Sequence, residues 1–326
     1  MKNISKFLPA AMFLSVVVVI LGGCCLFGGF LKNEVAIFWD TALLQNVTAI
    51  TSDGFDKQTP KISPDGKQLL YNEFTQNQWN IILLKNVTMP AKSPLIKGNS
   101  YFPAWYSNNN NYLYVSQEGG GHRIMRAALT GGGRTYVTRN SVGVGDHAPS
   151  VHGNDILFHT KMNAGDKEYQ IIRMKDNGTE ITYLGEGSYP SWHPTKSKFV
   201  FIREGNINEM DIVSGQVTEI FSDPYYNCAF PSFSGDGRYI LFQKGAERKL
   251  ATLKETMGGG LGSITKTFTT TRWQIFIMRA DGTSLTALTV TDVDAYHPSM
   301  DANGFVYFVS TAKKKPEIYR AKVTLD

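Results

Sequence analysis

The stretch of sequence that decides the fold is PKISPDGKQLLYNEF, residues 60–74. Within it, Ser63-Pro64-Asp65-Gly66 favours a type I β-turn, because proline presets φ at the second turn position and glycine suits the fourth. The residues that follow are rich in aliphatic and aromatic side chains, as strands are. The stretch therefore predicts two antiparallel strands joined by a tight turn.

The same arrangement recurs along the chain. Each copy has a proline, a short turn of Ser, Pro, Asp, Asn or Gly, and then an aromatic-rich strand. The six copies begin at Pro60, Pro103, Pro149, Pro190, Pro231 and Pro298, at intervals of 43, 46, 41, 41 and 67 residues. A period near forty residues is typical of architectures in which each repeat is one supersecondary unit.

Each copy continues into a third and a fourth strand. The third strands are predicted at 81–84, 123–126, 170–173, 207–210, 274–277 and 317–320. Turns such as Asn177-Gly178 and Asp281-Gly282 then lead to fourth strands, as at 135–138, 217–220 and 285–289. Four strands per repeat are typical of a propeller blade. The sequence predicts an all-β fold, a six-bladed β-propeller of four-stranded antiparallel blades.

The ends of the chain suggest how the ring closes. The sixth copy reaches Asp326 just after its third strand, whereas residues 46–51, ahead of the first proline, have the fourth-strand pattern. We therefore expect an N-terminal strand to complete the last blade, which would leave no open end in the ring. Open solenoid repeats are the alternative, and they would call for polar capping units.

The repeated Pro-x-x-Ser-Pro-Asp-Gly pattern, preceded by Leu-Thr, resembles the TolB-type β-propeller family. The resemblance covers residues 46–326 and is strongest at 60–71, 231–242 and 273–289. It implies a propeller fold and a binding role. TolB itself is a soluble periplasmic protein that carries an α/β domain ahead of its propeller and binds a peptidoglycan-associated lipoprotein. Only about 22 residues separate Cys24 from the first predicted strand, too few for such an α/β domain. No partner-binding residues of TolB are therefore carried over to this sequence.

The N-terminus has the pattern of an export signal. Lys2 and Lys6 precede an apolar run over residues 7–21, which is short for a membrane-spanning helix. Leu21-Gly22-Gly23-Cys24 resembles a bacterial lipobox, which implies cleavage before Cys24 and lipidation of its thiol. We expect a signal peptide at 1–23, a lipidated N-terminus and linker at 24–45, and the propeller at 46–326.

Because Cys25 rather than Asp follows the lipidated residue, the resemblance implies an outer-membrane destination, with the periplasmic or surface face left open. An uncleaved signal anchor and ordinary secretion are the alternatives for the N-terminus. Cys228 stands alone and is expected to be a buried free thiol.

Composition and motifs argue against several function classes. The formal net charge is +5, with no block of basic residues interleaved with aromatics, so nucleic-acid binding is not expected. The sequence has no Gly-x-Ser-x-Gly nucleophile motif, no P-loop and no paired CxxC. We predict no catalytic residues, no metal site and no cofactor.

Several aromatic and histidine residues lie near the repeat prolines. Residues just before these prolines enter the innermost strand from one face, so their side chains can converge on one mouth of the central channel. The candidate binding residues are Phe102, His147, Tyr189, His193, Phe230, Tyr296 and His297. We expect turn and packing roles for these residues, which are compatible with an aromatic, His-rich funnel for a peptide partner. A metal or small-ligand site is the alternative, which is not favoured because the histidines do not share one register.

The fifth repeat contains an insertion at about 245–271, between its second and third strands. Residues 244–272 carry six Lys or Arg against two Glu, a net charge of +4. Arg248, Lys249, Lys254 and Lys266 are candidate partner contacts, since long loops are often functional. The other interpretation, which the sequence favours, is a solvated, mobile excursion.

These observations favour a non-enzymatic, lipid-anchored envelope protein whose monomeric propeller is a scaffold for an envelope protein or peptide. The alternative is a carbohydrate-active or metal-dependent, lyase-like enzyme that uses the channel histidines.

Overall fold

A computed structural model describes residues 43–117, 121–139, 143–245, 253–256, 263–266, 272–291 and 293–324. All of them belong to one compact unit, residues 37–326. The predicted signal peptide, Cys24, Arg248 and Lys249 lie outside the described residues. Within the described ranges no helix is long and apolar enough to cross a membrane.

The described strands form six four-stranded antiparallel sheets, which are the blades, and one separate two-stranded sheet. The first strand in the chain is β1 (Leu44–Ala49). Blade 1 contains β2 (Asp56–Ile62), β3 (Leu69–Thr75), β4 (Gln78–Leu84) and β5 (Lys92–Ile96). Blade 2 contains β6 (Ser100–Trp105), β7 (Asn111–Ser116), β8 (Arg123–Ala128) and β9 (Thr135–Tyr136).

Blade 3 contains β10 (His147–His152), β11 (Asp155–Thr160), β12 (Gln170–Lys175) and β13 (Thr182–Glu186). Blade 4 contains β14 (Ser188–Trp192), β15 (Lys198–Arg203), β16 (Asn206–Asp211) and β17 (Val217–Phe221). Blade 5 contains β18 (Asn227–Phe233), β19 (Tyr239–Gly245), β22 (Trp273–Arg279) and β23 (Thr286–Ala287), and its insertion holds β20 (Leu253–Thr256) and β21 (Ser263–Lys266). Blade 6 contains β24 (Ala295–Met300), β25 (Phe305–Ser310) and β26 (Glu317–Val323).

The N-terminal strand closes the ring, as the sequence predicts. Strand β1 pairs antiparallel with β26, with Leu44 opposite Val323 and Ala49 opposite Tyr319. The order in blade 6 is therefore β1-β26-β25-β24, with β1 outermost. The predicted all-β, six-bladed propeller is confirmed.

The second strand of every blade is buried on both faces, because neighbouring blades pack against both sides of it. Its central residue is aromatic in all six blades and at most 1% exposed. These residues are Tyr71, Tyr114, Phe158, Phe201, Phe242 and Phe308. A strand covered on both faces reads as a nearly continuous apolar run, which explains stretches such as residues 199–202.

Two faces of the ring can be defined from the meander. The turn face carries the turns between first and second strands, such as Ser63–Gly66, where the Gly66 N–H donates to the Ser63 carbonyl at 2.8 Å. The loop face carries the connections between second and third strands and between blades. The blade 5 insertion leaves from the loop face, where Gly245 pairs with Trp273 at the end of β19 and β22.

A buried ionic cluster lies where the ring closes. The Lys57 ammonium pairs with Asp53, with Glu317 at 3.0 Å and with Glu73 at 3.9 Å. Lys92 pairs with Asp53 and Glu73. The side chain of Lys57 is 0% exposed and that of Glu317 is 3% exposed. The cluster thus joins blade 1 to the third strand of blade 6.

Candidate functional site: the central channel

Every innermost strand is bulged at the residue before its proline. These six residues have φ between 46° and 54°, in the left-handed region: Thr59, Phe102, Ala148, Tyr189, Phe230 and His297. The pairing register with the second strand shifts across the same position in all six blades. Such bulges re-aim side chains and occur near functional sites, and the left-handed backbone is strained for residues other than glycine.

Side chains of neighbouring blades bind the N–H groups of four of these residues. Phe102 N–H donates to Asn72 Oδ1 at 3.1 Å, and Tyr189 N–H donates to His159 Nδ1 at 3.0 Å. His297 N–H donates to Gln243 Oε1 at 2.8 Å, and Thr59 N–H donates to His297 Nδ1 at 3.2 Å. Each bond provides an acceptor for a backbone N–H group that, because of the bulge, does not pair with the second strand.

Three of these acceptors were missed by the sequence analysis. Asn72, His159 and Gln243 occupy the same position of the second strand in blades 1, 3 and 5, directly after the central aromatic residue. All three are buried. A polar residue in an otherwise apolar strand was the signal, since buried polar groups need hydrogen-bond partners.

The aromatic residues before the prolines meet across the channel. Phe102 of blade 2 and Phe230 of blade 5 come from opposite blades, and their ring centroids are 6.4 Å apart. Phe230 also lies 4.1 Å from Tyr189 and 4.1 Å from His297. We call Phe102, Tyr189, Phe230 and His297 the aromatic plug. The sequence analysis expected these side chains to line a mouth, whereas the structure places them across the passage.

Two further candidate residues touch the plug. His147 lies 5.8 Å from Phe102, and Tyr296 lies 4.9 Å from His297, both measured between ring centroids. Six of the seven candidate residues therefore form one connected aromatic group. They come from blades 2 to 6 and would not be neighbours without the closed ring.

His193 lies apart from this group. It follows β14 in a turn, where its Nδ1 accepts the Thr195 and Lys196 N–H groups at 3.2 and 3.1 Å. Its ring packs against Phe233 at 4.7 Å. It stands three residues after its proline, so it belongs to the turn face and caps a turn there, as Ser63 and Ser234 do in other blades.

The channel histidines form a short row beside the plug. His147 lies 4.5 Å from His122 and 5.7 Å from His159, between ring centroids. Burial, with a smaller contribution from His122, lowers the pKa of His147 to about 4. Burial, followed by the charge of Lys61, lowers the pKa of His297 to about 3. Burial likewise holds the pKa of His159 well below its usual range. These imidazoles are neutral near pH 7.

Among the described residues, no three His, Cys, Asp or Glu side chains form a group that could hold a metal ion. Cys228 is a buried free thiol, as expected, and burial raises its pKa to about 12.

A cavity of about 300 Å³ lies on the turn-face side of the plug. Its floor includes three plug residues, Phe102, Tyr189 and Phe230, and its walls include Trp105 and Trp192. One residue from each blade, the one after each proline, also faces it. These six residues, which we call the serine ring, are Lys61, Ala104, Ser150, Ser191, Ser232 and Ser299.

Lys61 is the one cationic residue among the residues that line this cavity. Burial alone lowers its pKa to about 8, and no charged or hydrogen-bonding partner among the described residues raises it. Lys61 is not among the residues predicted from the sequence, because only the equivalence of six positions after the prolines places it in the channel.

Two of the four insertion candidates lie among the described residues. Lys254 and Lys266 lie in β20 and β21, which pair antiparallel with Leu253 opposite Lys266. The sequence analysis assigned no strand to this segment.

No protein-family model matches the chain, and no curated protein matches its sequence. Solved structures do match. A structure described as putative TolB from Agrobacterium tumefaciens aligns with a TM-score of 0.58 and 15% identity, over 86% of this chain and 97% of that one. An oligogalacturonate lyase from Vibrio parahaemolyticus has a TM-score of 0.55 and 14% identity, over 85% and 93%. A gluconolactonase from Xanthomonas campestris has a TM-score of 0.60 and 10% identity, over 87% and 92%. At these identities the likeness concerns the fold, and the chain has a TolB-like six-bladed propeller fold.

Proposed function

We propose that the chain is a non-catalytic binding protein of the bacterial cell envelope. It is anchored through a lipid on Cys24, and its monomeric propeller holds an envelope protein or peptide on the loop face. The lipid anchor rests on the lipobox pattern of residues 21–24. The binding role agrees with the TolB-like fold, although enzymes share that fold.

The hydrogen bonds and the pKa values of the channel histidines support the non-catalytic part of the proposal. His159 and His297 each commit Nδ1 to a backbone N–H of a neighbouring blade. A general acid or base works best with a pKa near the operating pH, and burial moves the pKa of His147 and His297 to about 4 and about 3. His159 and His297 thus hold inner strands in place, and His147 and His297 exchange protons poorly near neutral pH.

The insertion in blade 5 is the proposed contact segment on the loop face. Residues 246–272 join two strands that are already paired at Gly245 and Trp273, so the blade does not need them for its own hydrogen bonding. Their basic residues would attract an acidic partner surface.

A pull-down from detergent-solubilised envelope tests this assignment. The bait is the full lipidated protein, compared with a variant that lacks residues 246–270 and carries Thr271→Asn and Arg272→Gly. The two remaining residues then close β19 and β22 as a two-residue hairpin, for which Asn-Gly is a favoured loop. We expect one dominant envelope protein with the full chain and its loss with the variant.

The matched control removes the same charge from another loop on the same face. The deletion variant loses a net charge of +3, and so does the triple variant Lys313→Ser, Lys314→Asn, Lys315→Ser in the loop after β25, whose lysines are exposed. Retention of the partner by this control, together with its loss from the deletion variant, would place the contact on the insertion. Recovery of no specific protein by the full chain would contradict the scaffold proposal.

An enzyme of the carbohydrate-active or lyase-like kind is the second candidate. The observation in its favour is the row of His122, His147 and His159, combined with a fold that an oligogalacturonate lyase shares. Release of unsaturated product from oligogalacturonate by the purified protein, lost in His147→Gln, would replace the scaffold proposal.

A further inference from the structure

The serine ring has one member per blade at a single level of the channel. Its positions are equivalent because each is the residue directly after the repeat proline, on the far side of the bulge. Four members are serine, one is Ala104 and one is Lys61. A lone ammonium group therefore shares a cavity level with several hydroxyl groups.

The hydroxyl groups of Ser150 and Ser299 each accept a backbone N–H of a neighbouring blade and donate to no acceptor among the described residues. Ser150 Oγ accepts the Trp192 N–H at 2.9 Å, and Ser299 Oγ accepts the Ile62 N–H at 3.1 Å. A hydroxyl that accepts from the backbone keeps its own proton for another partner. Ser232 differs, since its hydroxyl donates to the Pro298 carbonyl at 3.3 Å.

The ammonium group of Lys61 lacks an anionic partner among the described residues, and burial acts on its pKa without compensation. Asp301 also lines the cavity, but its Oδ1 accepts the Asn303 and Phe305 N–H groups at 2.8 and 2.9 Å, and Arg320 and Lys322 lie in its field. Asp301 thus caps its own turn. Lys61 is half-buried. A partly desolvated charge without a counter-ion is costly, and a ligand anion would relieve that cost.

We propose that the cavity on the turn-face side of the plug is a carboxylate-binding site, in which Lys61 supplies the charge and Ser150 and Ser299 supply hydroxyl donors. A carboxylate accepts one charge-assisted bond from an ammonium group and further bonds from hydroxyl groups. The volume of about 300 Å³ admits a group the size of an amino acid or a monosaccharide acid. The walls from Trp105, Trp192 and the plug offer apolar contact to the rest of such a ligand.

The site goes beyond the proposed scaffold function and stands on different residues. The insertion contacts are assigned to the loop face, whereas the carboxylate site lies on the turn-face side of the plug. Failure of the envelope pull-down leaves carboxylate binding intact, and failure of carboxylate binding leaves the pull-down intact.

Trifluoroacetate is the probe, observed by fluorine NMR with the full-length mature protein in a neutral detergent. Saturable line broadening is expected. Lys61→Met should abolish it, because methionine keeps most of the side-chain volume and removes the charge. Lys67→Met is the matched control, because Lys67 is exposed and lies outside the cavity lining. Thermal unfolding checks that Lys61→Met is folded, and we expect no loss of stability, since the substitution removes an unpaired charge on a half-buried side chain.

The pH dependence gives a second readout. With a pKa of about 8 for Lys61 in the free protein, trifluoroacetate should bind about tenfold more weakly at pH 9 than at pH 7. His297, which is coupled to Lys61, has a pKa of about 3, and burial raises the pKa of Tyr189, which lines the same cavity, further away from this range. Burial raises the pKa of Asp301, and its backbone bonds and the charges of Arg320 and Lys322 oppose that rise.

Competition identifies the source of the carboxylate. Stronger displacement of the probe by galacturonate assigns a sugar acid, and stronger displacement by N-acetylalanine assigns a peptide terminus; both support the site. Equal displacement by sulfate would reduce it to a non-selective anion site and overturn the proposal. Unchanged binding in Lys61→Met, or no saturable binding to the wild-type protein, would overturn it as well.

Discussion

Replacement of Lys57 by methionine tests how the ring is fastened. Its ammonium group is buried against Asp53, Glu73 and Glu317, and the side chains of Glu73 and Glu317 are 6% and 3% exposed. Lys57→Met leaves three carboxylates with Lys92 as the remaining cation of the cluster. Removal of one partner from a buried ion pair costs about 3 to 5 kcal/mol, because the other charge stays buried and uncompensated. We expect the free energy of unfolding to fall by about this amount.

The matched control is Lys315→Met. Lys315 pairs with Asp56 at 3.4 Å in the same seam between blades 6 and 1, but its side chain is 59% exposed. An exposed pair of this kind contributes about 0 to 1 kcal/mol. Comparison of the unfolding free energies of the two variants separates the effect of losing a buried ion pair from the effect of losing a lysine charge.

Urea unfolding followed by tryptophan fluorescence is the assay, because urea does not screen charge as guanidinium salts do. The deficit of Lys57→Met should shrink on acidification, since protonation of one carboxylate removes the repulsion that the substitution creates. A loss below about 1 kcal/mol, equal to that of Lys315→Met, would refute the idea that the cluster fastens the ring.

Three further predictions follow from the blades and the channel. Gly237→Ala should destabilise the fold by clearly more than Gly215→Ala: both glycines have φ near 70°, but a Cβ at Gly237 would lie 2.5 Å from the His193 ring, whereas one at Gly215 would meet nothing within 4 Å. Urea unfolding measures both, and equal losses would contradict the contact. Cys228, with a pKa of about 12, should resist iodoacetamide at pH 8 in the folded protein and react after unfolding, and native labelling seen by mass spectrometry would contradict its burial. His147 and His297 have folded pKa values of about 4 and about 3, below the unfolded value near 6.5. The free energy of unfolding should therefore be at its full value above pH 6.5 and should fall as the pH falls towards 4, because the unfolded chain then binds more protons. His147→Gln should make this dependence of the unfolding free energy on pH less steep, and an unchanged dependence would refute the assignment.

Local patterns in the sequence were enough to predict the six blades. The Ser63–Gly66 turn and the aromatic strand after it act over about a dozen residues, and their sixfold repetition leaves few architectures. The closing strand was predicted on the same basis, because residues 46–51 carry a fourth-strand pattern that the last repeat lacks. Strand pairing between β1 and β26 confirms it.

The channel depended on geometry that no single repeat contains. The sequence analysis grouped aromatic residues by their distance from a proline, but it did not detect the bulge that turns Phe102 and Phe230 towards each other. Lys57 and Glu317 are 260 positions apart in the chain, so their pairing follows only from the closed ring. Lys61 was overlooked for a related reason. A lysine after a repeat proline points to a binding site only when the equivalent residues of the other five blades are known to line the same cavity.

The aromatic plug makes the two proposals separable within one molecule. Lys61 lies on its turn-face side, the ends of β19 and β22 from which the insertion leaves lie on the loop face, and Phe102 and Phe230 lie between them. A loop-face partner and a carboxylate on the turn-face side can then interact only through the bulged strands that hold the plug. Since the backbone N–H groups of those strands donate hydrogen bonds to Asn72, His159 and Gln243, we expect the sites to act independently. Deletion of residues 246–270 should leave trifluoroacetate binding unchanged, and Lys61→Met should leave envelope-partner recovery unchanged. Loss of trifluoroacetate binding in the deletion variant, or loss of the envelope partner in Lys61→Met, would mean that the two sites are coupled through the plug. Phe230→Ala would then be expected to remove that coupling.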